Sequence, residues 1–105
     1  MKVKKLEKKL NKLSKYYKVN VVEATQFGSR LKGELAVFIR EKSRKNDMWA
    51  PIFYLDPPHE TLTHQSVKTW TLGTKTHIDF WTPEGLKFYI EALQLAEKFL
   101  SDKEK

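Results

Sequence analysis

Near the start of the chain, apolar residues recur every three or four positions. This spacing predicts an amphipathic helix over residues 2–17, with its apolar side against the rest of the fold or against a second copy of the helix. Lysine fills most of the remaining positions, so the segment 1–17 is also basic. A basic amphipathic helix can alternatively lie on a membrane surface. The apolar side consists of Val3, Leu6, Leu10, Leu13 and Tyr17.

From residue 18 to residue 81 the pattern becomes the alternation of apolar and polar residues that is typical of β-strands. Stretches rich in β-branched and aromatic residues are separated by short stretches that favour turns. This arrangement predicts an antiparallel sheet of four or five strands. The strands are predicted over residues 18–27, 34–42, 48–56 and 66–81, the last divided by a turn at Gly73 and Thr74, whereas residues 57–65 begin with two prolines and are predicted as a loop.

The alternation also predicts which side chains share a face of the sheet. Leu35, Val37 and Ile39 should face the core, and the residues between them should face away. The strand over 48–56 is apolar on both faces, and Pro51 predicts an edge or a bulge because proline has no N–H to donate. A bulge there would exchange the two faces, so the inward one stays open. A mixed face is predicted from Lys68, Trp70 and Leu72 on one strand with His77, Asp79 and Trp81 on the next.

The sequence predicts a C-terminal helix over residues 82–101. Thr82 is a typical N-cap, Pro83 suits the first turn, and Glu84 interacts favourably with the helix dipole. The element order predicts an α+β fold over one domain, 1–105: an N-terminal helix, a four- to five-stranded antiparallel sheet, and a C-terminal helix packed on one face. The apolar positions of the second helix are numerous enough to cover a sheet and a partner chain: Leu86, Phe88, Tyr89, Ile90, Leu93, Leu95, Ala96, Phe99 and Leu100.

Composition limits the class of protein. A chain of 105 residues is long enough for one hydrophobic core. It contains no cysteine, which excludes disulfides and thiolate metal sites and is typical of cytoplasmic proteins. We recognise no signal peptide and no apolar run approaching the ~20 residues of a membrane span, so we expect a cytoplasmic protein without a membrane segment.

The positive charge is concentrated in two segments. Residues 1–18 contain eight lysines and one glutamate, which accounts for the whole formal net charge of +7. Residues 30–45 contain six basic and two acidic residues. Basic patches of this kind favour a polyanion, most often nucleic acid and next anionic lipid.

Aromatic and basic side chains alternate on the predicted outward face of the sheet. Unpaired bases stack on flat rings and phosphates attract cations, so this combination predicts sequence-tolerant binding of single-stranded DNA or RNA. The opposite interpretation places the tryptophans in the core. We expect a homo-oligomer formed through one of the helices. The candidate nucleic-acid-binding residues are Arg30, Lys32, Phe38, Arg40, Lys42, Arg44, Lys45, Trp49, Lys68, Trp70, Lys75, His77 and Trp81.

Catalysis has little support in the sequence. The glycines are scattered instead of forming a phosphate-binding loop, and we expect no catalytic residues, metal or cofactor. His59 and His64, with a nearby carboxylate, would make a weak metal site, which keeps a metal-dependent nuclease as a minor alternative. The main alternative is a protein–protein interaction module, such as a viral or phage-encoded inhibitor or adaptor. In such a module the same aromatic residues would form the binding hot spot.

The layout resembles the archaeal ThermoDBP-type single-stranded nucleic-acid-binding proteins. The likeness is carried by the lysine-rich helix from Lys2 to Tyr17, the strands WAPIFY and KTWTLGTKTHIDFW, and the helix TPEGLKFYIEALQLAEKFL. It covers most of the chain and includes no diagnostic motif. The resemblance implies sequence-tolerant binding of single strands and an assembly that is dimeric or larger.

Overall fold

The computed structural model describes residues 1–23, 32–43, 49–61, 63–74 and 82–104. Within them the chain forms an N-terminal helix, a four-stranded antiparallel sheet, a small two-stranded ladder and a C-terminal helix, which confirms the α+β fold. The predicted fifth strand, after residue 74, lies outside the described residues. The elements are α1 (Val3–Asn11), β1 (Tyr17–Glu23), β2 (Leu35–Glu41), β3 (Ala50–Asp56), β4 (His59–Glu60), β5 (Ser66–Val67), β6 (Thr71–Gly73) and α2 (Pro83–Lys103).

The main sheet has the strand order β1-β2-β3-β6, and each neighbouring pair is antiparallel. Gly33 makes the bend that leads into β2, with a φ of 86° that residues with a Cβ rarely adopt. The stretch predicted as one strand before Gly73 is divided in the structure. Its first part, β5, pairs with β4, whereas its last part, β6, pairs with β3.

The loop predicted over residues 57–65 is wrong in part, because it contains β4. A tight turn after β4 brings the chain back to pair with β5. Thr61 N–H donates to the carbonyl of Gln65 at 2.9 Å, and the Thr61 carbonyl accepts from His64 N–H at 2.9 Å. His64 has the left-handed φ of 62° that closes this turn. The two prolines therefore end β3 without preventing the residues after them from pairing.

A β-bulge interrupts the pairing of β2 with β3. Val37 pairs with Phe53 and Phe38 pairs with Pro51, so Ile52 is the extra residue on β3. A proline beside a bulge confirms the prediction for Pro51, since the ladder is already interrupted there. The bulge also allows two successive side chains, Ile52 and Phe53, to be fully buried.

Helix α2 packs on one face of the sheet, helix α1 lies beside it along the β1 edge, and the core lies between the two helices and the strands. Leu35, Val37 and Ile39 of β2 are buried there, which confirms the predicted alternation. Each large apolar side chain that is removed from water contributes ~1.5–3 kcal/mol. The rest of the core includes Leu6 and Leu10 of α1, Val19 and Val21 of β1, Phe53 and Leu55 of β3, and Phe88, Ala92, Ala96 and Phe99 of α2.

Helix α2 begins as predicted, and the structure shows which of its apolar residues face the core. The Thr82 hydroxyl accepts a hydrogen bond from Gly85 N–H at 3.1 Å, which confirms the N-cap. The buried side follows Phe88 and the residues three or four positions apart from it. Leu86 and Ile90 are two positions from Phe88, about 200° around the helix, and are 47% and 48% exposed. Of the apolar positions that the sequence offered for a sheet and a partner chain, these two are therefore left outside the core.

Helix α1 covers the edge of the sheet at β1. The side-chain oxygen of Asn11 accepts from Val19 N–H at 2.8 Å, and its amide nitrogen donates to the Val19 carbonyl at 3.0 Å. A carboxylate oxygen of Glu7 accepts from Val21 N–H at 2.7 Å. The unpaired backbone groups of an edge strand would otherwise pair with another chain. Glu7 and Asn11 therefore occupy hydrogen-bonding positions that a further strand would use.

Helix α1 ends at Asn11, although the sequence predicts a helix as far as Tyr17. Its last turn tightens through 3.2 Å bonds from Lys12 N–H to the Lys9 carbonyl and from Leu13 N–H to the Leu10 carbonyl. The chain then turns into β1, and Tyr17 packs on Phe88 with ring centroids 5.1 Å apart. The predicted apolar spacing is thus correct for the core contacts but wrong for the local conformation of its last residues. Within the described residues, neither helix has the length and apolar character of a bilayer-spanning segment.

Replacing Asn11 with alanine tests the edge contact. Asn11→Ala would leave both backbone groups of Val19 without their side-chain partner, which we expect to lower the free energy of unfolding by ~1–3 kcal/mol. Lys8→Ala is the control, because Lys8 is an exposed residue of the same helix. Urea denaturation measures both variants. Equal stabilities for the two would contradict the role given to Asn11.

Candidate nucleic-acid interface

The outer face of the sheet is the face opposite the two helices. Phe38 and Arg40 of β2 lie on it, because they alternate with the core residues Leu35, Val37 and Ile39, and Ala36 on the same face is fully buried. In the strand register, Phe38 lies between Asn20 of β1 and Pro51 of β3. Two of the predicted binding residues are therefore neighbours on one face, at the middle and near the end of a central strand.

The bulge at Ile52 determines the face on which Trp49 lies. Without the bulge, alternation from Phe53 would carry Trp49 to the core side. With the bulge, Ala50 pairs with Ile39, so the next residue outward, Trp49, lies beside Arg40. The guanidinium carbon of Arg40 lies 5.3 Å from the centroid of the Trp49 ring. The question that the sequence left open for β3 is answered by its bulge, which places Trp49 on the outer face.

Arg40 and Trp49 make a cation–π contact. Such a contact contributes ~0.5–1 kcal/mol at an exposed site. Both side chains are half-buried, as is Phe38. The contact restrains the indole and keeps a planar cation beside it. A flat ring for stacking and a charge for a phosphate are thus held next to each other, which is the combination that unpaired nucleotides bind.

Two exposed lysines border this pair. Lys18 of β1 is directly opposite Arg40 in the register. Lys42 follows β2, and its backbone N–H donates to the Tyr16 carbonyl at 2.8 Å. Lys18 is missing from the residues predicted from the sequence. The signal was present, since the inward position of Val19 places Lys18 on the outer face.

Two other predicted residues lie far from this cluster. Lys32 is exposed before the Gly33 bend, at the opposite end of β2 from Lys42. Seven residues of strand separate those two ends, which corresponds to ~20 Å. Lys68 is exposed just after β5, a strand that pairs with β4 outside the four-stranded sheet. The fold therefore keeps Lys32 far from Arg40, and it places Lys68 outside the four-stranded sheet to which Arg40 belongs.

Trp70 lies on the helix side of the sheet and not on the outer face. Its ring meets Phe99 of α2 edge-on, with centroids 5.7 Å apart and planes at 80°. The amino group of Lys103 lies 5.4 Å from the Trp70 centroid. Leu72 also packs against the core, where it pairs with the buried Leu55. The mixed face predicted for Trp70 and Leu72 is therefore corrected to a core-facing one, because β6 continues the inward alternation of β3.

The structure describes only part of the predicted site. The mixed face predicted over residues 66–81 is described as far as residue 74. Seven of the predicted site residues lie within the described ranges, and the preceding paragraphs give their positions. The remaining predicted residues lie outside the described ranges: Arg30, Arg44, Lys45, Lys75, His77 and Trp81.

A groove beside Lys42 has a mixed charge. It is lined by Lys15, Tyr16, Glu41 and Glu84 among others. Tyr16 is 44% exposed, and its hydroxyl donates to a carboxylate oxygen of Glu84 at 3.5 Å. Burial raises the pKa of the neighbouring Tyr17 phenol above its ordinary value of 10.0, and the carboxylates of Glu41 and Glu84 act in the same direction. The carboxylates make this groove unsuitable for a polyanion.

The two histidines considered as metal ligands make other contacts. His59 Nδ1 lies 2.8 Å from the Pro57 carbonyl, and His64 Nδ1 lies 3.0 Å from a carboxylate oxygen of Glu60. Among the described residues, no group of three or more histidine, aspartate or glutamate side chains is arranged to hold a metal ion. The geometry of that part of the chain gives the nuclease alternative no support.

No protein-family model matches the chain, and no curated protein or solved structure gives a significant match. The resemblance to ThermoDBP-type proteins therefore stays a prediction. The fold and the placement of the side chains above are what a functional proposal has to use.

The position of Trp70 predicts that its removal affects stability. Trp70→Ala would open a void beside Phe99, and we expect it to lower the free energy of unfolding by about 2 kcal/mol or more. Trp49→Ala is the matched variant, since Trp49 contacts Arg40 on the outer face. Trp49→Ala should lower the free energy of unfolding by less than Trp70→Ala does. Urea denaturation of both proteins measures the difference, and a larger loss for Trp49→Ala would contradict the placement of Trp70.

Proposed function

We propose that this protein binds single-stranded DNA or RNA in a sequence-tolerant manner through the outer face of its sheet. The observation that carries the proposal is the contact of Arg40 with Trp49, at 5.3 Å, beside the half-buried Phe38. Lys18, which is exposed and directly opposite Arg40 in the strand register, adds positive charge to the same face. Together they offer rings to bases and cations to phosphates.

The groups on the outer face favour tolerance of sequence. Stacking on an aromatic ring accepts any base, because every base has a flat face, and contributes ~1–3 kcal/mol per base. Arginine and lysine attract phosphates, which position a strand without distinguishing its bases. Binding of this type releases counterions from the nucleic acid, so the affinity should fall steeply as salt is added. The predicted cytoplasmic location and lack of catalysis are compatible with such a role.

Substitution of the paired residues tests the proposal. With a fluorescein-labelled oligothymidine of about 15 nucleotides, near the upper end of site sizes for one binding module, we expect Trp49→Ala to weaken binding by about tenfold or more at low salt. Its salt dependence should stay unchanged, because no charge is lost. Arg40→Ala should also lower the slope of log affinity against log salt by about 0.7, the contribution of one phosphate contact on a single strand. Fluorescence anisotropy measures both quantities.

Lys98→Ala is the control for these variants, since Lys98 is exposed on α2, on the other side of the protein. It should bind nearly as the unaltered protein does. Thermal melting shows whether each variant is folded. The proposal fails if the unaltered protein does not bind at low salt, or if Trp49→Ala and Lys98→Ala bind equally well.

The predicted homo-oligomer has a candidate surface on α2. Leu86 and Ile90 are exposed there, with Lys87 and Glu91 beside them in the same shallow groove. If α2 packs antiparallel against its own copy, Lys87 of each chain lies opposite Glu91 of the other, since a two-fold axis makes each contact twice. We propose that a second copy of the chain covers this surface.

Ile90→Asp tests self-association. A buried, unpaired carboxylate at the centre of the contact would oppose it, so we expect a shift toward monomer in sedimentation velocity at equal protein concentration. Gln94→Asp is the control, because Gln94 lies in the same groove but is polar already. A monomeric unaltered protein, or an Ile90→Asp variant that associates as the unaltered protein does, would contradict the proposal.

A further inference from the structure

Every exposed residue within helix α1 is a lysine. Lys4, Lys5 and Lys8 are exposed, whereas Leu6 and Leu10 are fully buried in the core. Lys2 precedes the helix and Lys12 follows it, and both are exposed as well. We call the exposed side of residues 2–12 the lysine face. It is a strip in which positive charge is not interrupted by a residue of another kind.

No carboxylate neutralises the lysine face among the described residues. The helix contains one acidic residue, Glu7, and its carboxylate is turned away to accept a bond from Val21 N–H at 2.7 Å. Two other carboxylates, those of Asp102 and Glu60, pair with the N-terminal amine and with His64 instead of with a lysine of this face. Within the described ranges, the charges of the lysine face are therefore left to solvent and salt ions.

The stability of α1 does not explain this choice of residues. Lysines four positions apart, such as Lys4 with Lys8 and Lys8 with Lys12, repel each other on a helix. The first turn contains no acidic residue, although the helix dipole favours negative charge there. Alternating charges would give a more stable helix of the same length. A binding role accounts for a sequence that local stability opposes.

The position of α1 connects the lysine face with the outer face of the sheet. Asn11 and Glu7 hold the helix against β1, the strand that carries Lys18 opposite Arg40. We propose that the lysine face binds the phosphate backbone of a nucleic acid that passes from the outer face over the β1 edge. The inference rests on the proposed function for the first part of that path.

Nucleic acid fits this surface better than a membrane does. A helix that lies on a bilayer buries its apolar side in the lipid. In α1 that side is occupied, because Leu6 and Leu10 are fully buried in the core and Val3 packs against it. Lys4, Lys8 and Lys12 succeed one another at ~6 Å along the helix, which makes a linear row suited to a linear polyanion.

The test compares two variants that lose the same charge at different places. Lys4→Gln/Lys8→Gln changes the lysine face, and Lys15→Gln/Lys98→Gln changes two exposed lysines outside both proposed binding surfaces, one in the mixed-charge groove and one on α2. Both lower the formal net charge from +7 to +5. Glutamine and lysine have similar helix propensities, so both variants should fold. Binding is measured over a range of salt with oligothymidines of about 6 and about 20 nucleotides, within and beyond the site sizes of a single module.

With the longer oligonucleotide, we expect the α1 variant to lower the salt slope by about 1.4, since two phosphate contacts at ~0.7 each are lost. The Lys15→Gln/Lys98→Gln variant should keep the slope of the unaltered protein. With the shorter oligonucleotide, which spans the outer face alone, the α1 variant should bind as the unaltered protein does. This dependence on length distinguishes a second contact surface from a change in overall charge.

Each other outcome overturns the inference. Equal losses in both variants would show an effect of net charge, and no loss in the α1 variant would show a solvated helix face. Binding of vesicles containing phosphatidylserine by the unaltered protein, with no binding of the longer oligonucleotide, would assign the lysine face to lipid. The proposed function is judged separately by Trp49→Ala: if that variant binds normally while the α1 variant loses slope, the sheet-face proposal fails and the lysine face remains a binding surface.

Discussion

The register shift between β2 and β3 determines what the outer face of the sheet contains. Because side chains alternate along a strand, one extra residue exchanges the two faces for everything beyond it. Ile52 is that residue, and it separates the core-facing Phe53 from Trp49, which lies against Arg40. The cation and the ring come together through this shift. A regular β3 would have buried the indole and left the guanidinium without an aromatic neighbour on β3.

A second constraint acts at the opposite edge of the sheet. The backbone of β1 has to be protected from pairing with other chains, and α1 does this with Asn11 and Glu7. That contact fixes the rotation of the helix about its axis, together with the buried Leu6 and Leu10. The sides of α1 that face the core and the β1 edge are then fixed, and the exposed residues that remain within the helix are all lysines. The charge of the N-terminal segment is thus directed away from the core by the same contacts that close the sheet edge.

Local patterns in the sequence were sufficient for both helices, the first three strands and much of the core, but not for β4 or for the end of α1. The alternation of Leu35, Val37 and Ile39, the cap at Thr82 and the bulge beside Pro51 each depend on a few neighbouring residues. The failures have a different origin. Leu86 and Ile90 are as apolar as the residues of α2 that are buried, so composition could not show which side of a broadly apolar helix meets the sheet. The small side chains of Ala92 and Ala96 allow the closer approach on the other side.

The candidate site was harder to predict than the fold because it is a property of pairing between distant segments. Phe38 and Arg40 follow from the alternation of one strand, but the neighbour of Arg40 depends on the register of a second strand. Trp70 shows the same limit: the stretch that appeared to be one strand changes partner from β4 to β3, and β6 then follows the inward alternation of Leu55. An indole in such a strand is a core residue or a binding residue according to one position of register. Sequence alternation gives both solutions equal weight, and only the paired partner strand separates them.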